Sequence, residues 1–192
     1  MIGIVDYGAG NLKSVQNALE YLEVESRIVS TPNEIAACDR LILPGDGSFG
    51  FMMENLEKKN LIGALKTSIS KGKPFLGICL GMQALFESSD ESPGAKGLGI
   101  FKGRVMKFRT GKIPQIGWNL IASENPRLED DSFYFVNSYV VVPDDLTIIA
   151  ALSDYYGPFV SAIRSKNILA VQFHPEKSGT AGLALLRRWL SC

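Results

Sequence analysis

Four short apolar runs in the first eighty residues limit most strongly what this chain can fold into. IGIVD (2–6) ends in the turn Tyr7-Gly8-Ala9-Gly10, after which Asn11 to Glu23 places Leu12, Val15, Leu19 and Leu22 at helical spacing. SRIVS (26–30) reads as a second strand, and RLILPG (40–45) as a third, closed by Pro44 and Gly45. Phe49 to Lys71 carries two helical stretches interrupted near Asn60. KPFLGI (73–78) is a fourth strand, with a helix expected directly behind it from Leu80 to Ser88. Continuous apolar strands joined by helices pair in parallel and are covered on both faces.

The second half changes character. GRVMKF (103–108), GWNLI (117–121), SFYFVNSYVVV (132–142), LTIIAAL (146–152), FVSAIR (159–164) and ILAVQF (168–173) are strand-like, with few helices between them. A last helix is expected over Gly179 to Leu190, with Leu183, Leu186 and Leu190 on one face. The expectation is therefore an α/β fold of flavodoxin-like type. Its central sheet is mostly parallel and covered by helices on both faces, and its second half is antiparallel-rich. With no repeat, low-complexity tract or linker, residues 1–192 read as one domain.

Composition removes several function classes. Twenty basic and twenty acidic residues cancel without a cationic block, which argues against nucleic acid or an anionic membrane as partner. The opening residues lack a basic region followed by a long apolar stretch, and no run approaches the roughly 20 residues that span a bilayer. Cys38, Cys79 and Cys192 show no paired spacing, so no disulfide framework is expected and a reducing cytoplasm fits. His174 is the single histidine. Zinc ligand sets need clustered Cys and His, so neither a metal nor a cofactor is expected. Any step that needs an imidazole must use His174.

The most informative segment is Gly77-Ile78-Cys79-Leu80-Gly81-Met82-Gln83, a G-x-C-x-G between strand and helix. This is a thiol version of the nucleophile elbow, whose sharp turn lifts the reactive side chain off the end of a sheet. Gly77 and Gly81 suit a turn with little room beside the nucleophile. A following helix directs N–H groups at the sulfur, which favours thiolate, and the Leu80 N–H is placed to bind an oxyanion. A free cysteine also packs as a small hydrophobe, and Cys38, without such glycines, reads that way. Cys192, the final residue, reads as a spectator.

His174-Pro175-Glu176 ends the last predicted strand. Residues two apart in extended chain point the same way, and Pro175 stiffens the pair. A carboxylate beside an imidazole selects its tautomer and stabilises the imidazolium formed when the ring takes a thiol proton. A lone histidine satisfied by a backbone carbonyl is the plainer reading of His174. The elbow at another strand end favours the catalytic one.

The order G-x-C-x-G-x-Q and then H-P-E resembles the class I, triad-type glutamine amidotransferases. The stretches DYGAGN (6–11), LPGDGSFG (43–50), GICLGMQ (77–83), SPGAKGLG (92–99), PQIGWN (114–119), FYFVNSY (133–139) and QFHPEKSG (172–179) carry the resemblance along the whole chain. Within that class they resemble the glutaminase subunits of imidazole glycerol phosphate synthase, of histidine biosynthesis. The resemblance implies Cys79 as nucleophile, His174 as base and acid, and Glu176 as orienter. It implies backbone N–H groups of Leu80 and Asp46 as oxyanion donors. Gly47, Gln83, Ser138 and Tyr139 would hold the amino-acid end of glutamine.

It also implies a heterodimer with a (β/α)8-barrel cyclase subunit, which consumes the ammonia through an internal channel. That cyclase makes imidazole glycerol phosphate and an aminoimidazole carboxamide nucleotide. Asn11, Gln115, Trp118, Asn119 and Lys177 fall in the motifs placed near that interface. The family often has a hydrophobic residue in place of Asp46, and histidine in place of Gln115 or Asn137. Two other readings stay open from the residues alone. One is a class I glutaminase serving another synthase, in vitamin B6 or modified-sugar synthesis. The other is a non-catalytic flavodoxin-like regulatory module.

Overall fold

The structure, a computed structural model, describes residues 1–123 and 128–191. Cys192 lies outside the described residues. Strands β1 (Ile2–Val5), β2 (Ser26–Val29), β3 (Arg40–Leu43) and β4 (Phe75–Ile78) alternate with helices α1 (Leu12–Tyr21), α2 (Pro32–Ala37), α3 (Phe49–Lys58) and α4 (Leu61–Ser70). A single helical turn, α5 (Leu80–Gln83), follows β4. Next come β5 (Ser88–Ser89), β6 (Gly103–Lys107), β7 (Gln115–Leu120), β8 (Ser132–Asn137), β9 (Tyr139–Pro143), β10 (Ile149–Asp154), β11 (Pro158–Ser165) and β12 (Ile168–Val171). Helix α6 (Gly179–Leu190) closes the described chain.

The main sheet has seven strands in the order β10-β11-β12-β4-β3-β1-β2. β12, β4, β3, β1 and β2 are parallel, while β10 and β11 extend the sheet antiparallel. Alternate strand residues feed two cores. Val5, Leu41, Leu43 and Phe75 pack with residues of α2, α3 and α4. Ile4, Ile42, Leu76 and Ile78 pack with residues of α1 and α6. Helices thus cover both faces, as the sequence predicts, and the smaller sheets β5-β6-β9 and β7-β8 lie outside this one. The chain leaves β1 for β2 on one side and returns to β3 on the other. That switch makes the C-terminal ends of β1, β3 and β4 the expected place for a ligand.

Three local expectations are corrected. Helix α5 ends at Gln83, not Ser88. The carbonyls of Ala84, Leu85 and Phe86 accept from Leu98, Ile100, Phe101 and Gly99 N–H instead of from a continuing helix. The run 132–142 is two strands, β8 and β9, which separate at Ser138 and join different sheets. Helix α2 was not anticipated: six residues are too few for a periodicity. Its signal was the capping box of Thr31 and Glu34, with Pro32 opening the helix. The interruption near Asn60 is where expected, with Asn60 left-handed at φ 57° between α3 and α4.

Candidate active site

Cys79 stands between β4 and α5 with φ 54° and ψ −111°. A side chain other than glycine rarely adopts this backbone, and the strain costs on the order of 1–3 kcal/mol. Packing imposes it. A Cβ on Gly81 would sit 1.9 Å from the Leu43 carbonyl oxygen, and one on Gly77 would sit 2.8 Å from the Gly81 oxygen. The turn is therefore pressed against β3, while the Cys79 N–H donates to Val171 O of β12 at 2.8 Å. Because α5 is one turn, its dipole gives the sulfur less help than the longer predicted helix would. The Leu80 N–H has no hydrogen-bond partner among the described residues.

His174 is buried and its Nδ1 lies 2.7 Å from Glu176 Oε1. The two do not share an extended strand: β12 stops at Val171, and Pro175–Lys177 is a short 3-10 turn. The turn is fixed by His174 N–H to Tyr134 O at 2.9 Å. Ser178 Oγ donates to His174 O and accepts from the Tyr134 N–H. Burial pulls the His174 ring toward its neutral form. Hydrogen bonds with Cys79 and Glu176 and the negative charge of both outweigh that, and its pKa is pushed up to about 10.

These groups open on a cleft of about 270 Å³. Of the residues singled out in the sequence, Cys79, Leu80, Asp46, Gly47, Gln83, Ser138, Tyr139, His174, Glu176, Asn11 and Lys177 line it. Gln115, Trp118 and Asn119 do not. They lie on β7, where Gln115 is buried opposite Asn137, Trp118 is 60% exposed, and Asn119 donates to Asp154 O. Asn11 has a structural task as well, because its side chain caps α1 through the Ser14 N–H at 3.1 Å.

The turn after β3 differs from the expectation in one respect. The Asp46 N–H is engaged: it donates to the Tyr7 hydroxyl at 2.9 Å, and that hydroxyl lies 2.9 Å from Asp46 O, to which it donates. Tyr7 is fully buried, and burial pushes its phenol up to about 12, so it stays neutral and can serve in both directions. The Asp46 carboxylate accepts from the Gly47 N–H at 2.8 Å.

Four residues that the sequence reading did not select belong to this site or touch it. Tyr7 holds the Asp46 peptide. Glu91 lines the cleft and accepts from the Phe49 N–H at 2.7 Å. Asn137 lines it with a buried, unpartnered Oδ1. Gln172 lies behind the sulfur, with its Nε2 3.5 Å from Cys79 Sγ. Tyr7 and Gln172 stand inside the stretches DYGAGN and QFHPEKSG, which is a signal, but no spacing rule links them to residues 39 and 93 positions away. Among the described residues no group of three or more His, Cys, Asp or Glu could hold a metal ion.

The geometry can support nucleophilic attack by a thiol, with a proton acceptor oriented by a carboxylate. A family model described as Glutamine amidotransferase class-I matches residues 3–191. The imidazole glycerol phosphate synthase subunit HisH of Methanothermobacter thermautotrophicus is 46% identical over 198 residues, covering 99% of this chain and 98% of that protein. Its counterpart in Aquifex aeolicus is 48% identical over 194 residues, covering 97% and 94%. A crystal structure of a glutamine amidotransferase superposes with a TM-score of 0.82 at 20% identity, over 99% of this chain and 97% of that one. PurLQS from Thermotoga maritima gives 0.81 at 19% identity, over the same shares. At these identities the solved structures bear on the fold.

Proposed function

The chain belongs to the class-I glutamine amidotransferase family, and on that premise we propose that it is the glutaminase subunit of an imidazole glycerol phosphate synthase in histidine biosynthesis. The observation that carries the reading is the junction of three groups in one cleft. Cys79 sits on a strained turn, His174 lines the same cleft with its ring held toward the charged form by the neighbouring sulfur and carboxylate, and Glu176 sits 2.7 Å from its Nδ1. In this reading residues 1–192 act as one cytoplasmic glutaminase domain.

Cys79 Sγ, whose proton His174 already holds, attacks the side-chain amide carbon of L-glutamine. The oxyanion forms against the Leu80 N–H. His174 returns the proton to the departing nitrogen, which leaves as ammonia, and a γ-glutamyl thioester remains. Water, deprotonated by His174, then hydrolyses the thioester to glutamate and restores the thiol. Glu91, Ser138, Tyr139 and the free Oε1 of Gln83 line the part of the cleft suited to the amino-acid end. The Glu91 carboxylate suits an α-ammonium group.

The partner reading rests on the names of the relatives and on one surface. Ile116, Trp118 and Leu120 alternate along β7 and are 60–65% exposed. This apolar stripe adjoins Tyr134 and Val136 of β8, and Val136 lines the cleft. A (β/α)8-barrel cyclase seated there would receive ammonia directly and pass it through an internal channel. The test is glutamine hydrolysis by this chain alone and with the barrel subunit and its nucleotide. The expected stimulation is about 10²–10³-fold, the worth of one oxyanion donor. Full-speed hydrolysis that ignores the barrel would replace this reading with a stand-alone glutaminase.

A further inference from the structure

Behind the nucleophile runs a hydrogen-bonded chain of side-chain amides. Gln83 Nε2 donates to Tyr139 O at 3.1 Å and to Gln172 Oε1 at 3.0 Å. Gln172 Nε2 then lies 3.5 Å from Cys79 Sγ. Both glutamines are buried, Gln172 completely, and the Gln172 N–H is pinned to Ser161 O at 2.8 Å.

The direction of this chain is fixed from one end. Amide oxygen and nitrogen are ordinarily interchangeable by a flip. Tyr139 O, however, is a backbone carbonyl and can only accept, so the Gln83 atom facing it must be Nε2. Gln83 then offers its second hydrogen to Gln172, which must answer with Oε1. What is left for the sulfur is the Gln172 NH₂. In a dry site a flip of Gln83 would set oxygen against oxygen and a flip of Gln172 nitrogen against nitrogen, and either is costly. The sulfur is therefore faced by this donor at 3.5 Å as well as by the Val136 carbonyl oxygen at 3.8 Å, and of the two only the donor can hold a thiolate.

We infer that Gln172 is a positioning residue for the nucleophile: its amide, polarised by Gln83 and the Tyr139 carbonyl, holds and stabilises the Cys79 thiolate. This rests on the reading of Cys79 as nucleophile and goes beyond the triad. The same relay ties Gln83, which lines the cleft, to the sulfur, so a ligand drawing on the Gln83 Oε1 acts on the line that ends at Sγ.

The test uses the full chain and two substitutions. Gln172→Met keeps length and apolar packing but removes donor and acceptor. Gln172→Glu keeps an acceptor for Gln83 but turns an oxygen toward the sulfur. Hydrogen bonds to charged groups are worth roughly ten- to hundredfold. Iodoacetamide alkylation of Cys79 at pH 7, read at that site by mass spectrometry, should slow about tenfold in Gln172→Met and further in Gln172→Glu. kcat for glutamine should fall by a similar factor, with KM within about twofold, whereas a merely structural loss would not leave binding intact while slowing the thiol. Gln83→Met, which only unlocks the polarity, should slow alkylation less than Gln172→Met.

Unchanged alkylation in both folded Gln172 variants would overturn the inference, whether or not glutamine is hydrolysed. If the chain hydrolyses no glutamine but alkylation responds as stated, the function fails and the relay stands. Should neither variant fold, the wild-type protein decides: the Gln172 side-chain amide resonances should shift when Cys79 is carboxymethylated, and a stationary resonance would refute the contact.

Discussion

Two turns meet at the cleft, and they are held in different ways. The turn after β4, carrying Cys79, is fixed by contacts that leave no slack: Gly81 against the Leu43 carbonyl, and Gly45, whose Cβ would lie 2.4 Å from Leu80 Cβ. The turn after β3, Pro44 to Gly47, is packed at Gly45, but its next two peptides are held by hydrogen bonds: the Asp46 N–H and carbonyl to the Tyr7 hydroxyl, and the Gly47 N–H to the Asp46 carboxylate. Steric closure admits one arrangement, whereas hydrogen bonds of about 1 kcal/mol each admit two. The proposed nucleophile is thus built permanently, and the proposed second oxyanion donor is left to a reversible contact. A glutaminase that must wait for an acceptor needs this division.

The largest effects are expected at the turn after β4 and its partners. Cys79→Ala and His174→Ala should each lower kcat on the order of 10⁶-fold, because triad members act as a unit and no second imidazole exists. Near-normal turnover of a folded His174→Ala variant would end the mechanism. Glu176→Gln should cost less, about 10⁴-fold. It should also change the titration of His174, which as the sole histidine is readable by NMR without assignment. In the wild type the midpoint should lie well above 6.5, near 10. A raised pKa means that the imidazolium adds stability fully below about pH 6.5, and that this is lost as pH climbs toward 10. Glu176→Gln should narrow that window. A midpoint that does not move would show that the carboxylate does not support the charged ring.

The reversible side is broken by Tyr7→Phe, which keeps the ring and deletes the hydroxyl. The Asp46 N–H and carbonyl both lose their partner, and the Gly45–Asp46 peptide becomes free to turn that N–H toward the oxyanion while the Gly47 N–H keeps its bond to the carboxylate. Basal hydrolysis without a partner should rise, by up to about 10²-fold, while the partner-stimulated rate changes little. An unchanged or lower basal rate in a folded variant would show that Tyr7 only packs, and the contrast between the two turns would lose its meaning.

These differences explain what could be read in the sequence. The elbow, the three residues Cys79, His174 and Glu176 that share the cleft, the break at Asn60 and the last helix follow from local signals: flanking glycines, a strand end, a periodicity. Gly179–Leu190 is the predicted helix to the residue. Where an element depends on distant backbone, local reading fails. Helix α5 stops because the segment around Leu98 takes its carbonyls, and β8 parts from β9 because their partners, β7 and β6, lie in different sheets. His174 and Glu176 do meet, but through a 3-10 turn and not the extended chain that the spacing suggested. The Tyr7–Asp46 and Gln172–Cys79 contacts join residues that no periodicity relates, so only the fold discloses them.

The smallest effect is expected at the Asp46 side chain, and it sharpens the comparison because it separates peptide from carboxylate. The proposed switch concerns the Asp46 N–H, now held by Tyr7, whereas the carboxylate is exposed and accepts from the Gly47 N–H. It lines the same cleft as Glu91 and Glu176, into which glutamine brings a further carboxylate. Asp46 is exposed, and the repulsion between an exposed carboxylate and others across an open cleft is at most about 1 kcal/mol. Asp46→Val should therefore lower KM for glutamine about two- to threefold and leave kcat within a similar factor. The lost bond to Gly47 N–H opposes this gain only where that amide does not find the substrate instead. Alkylation of Cys79 at neutral pH should be slightly faster, and added salt should shrink the difference from wild type. Steady-state kinetics at low and moderate ionic strength read all of this in one series. A folded Asp46→Val variant without turnover would show that the carboxylate takes part in the chemistry, and then the turn after β3 could not be described as a switch made of backbone alone.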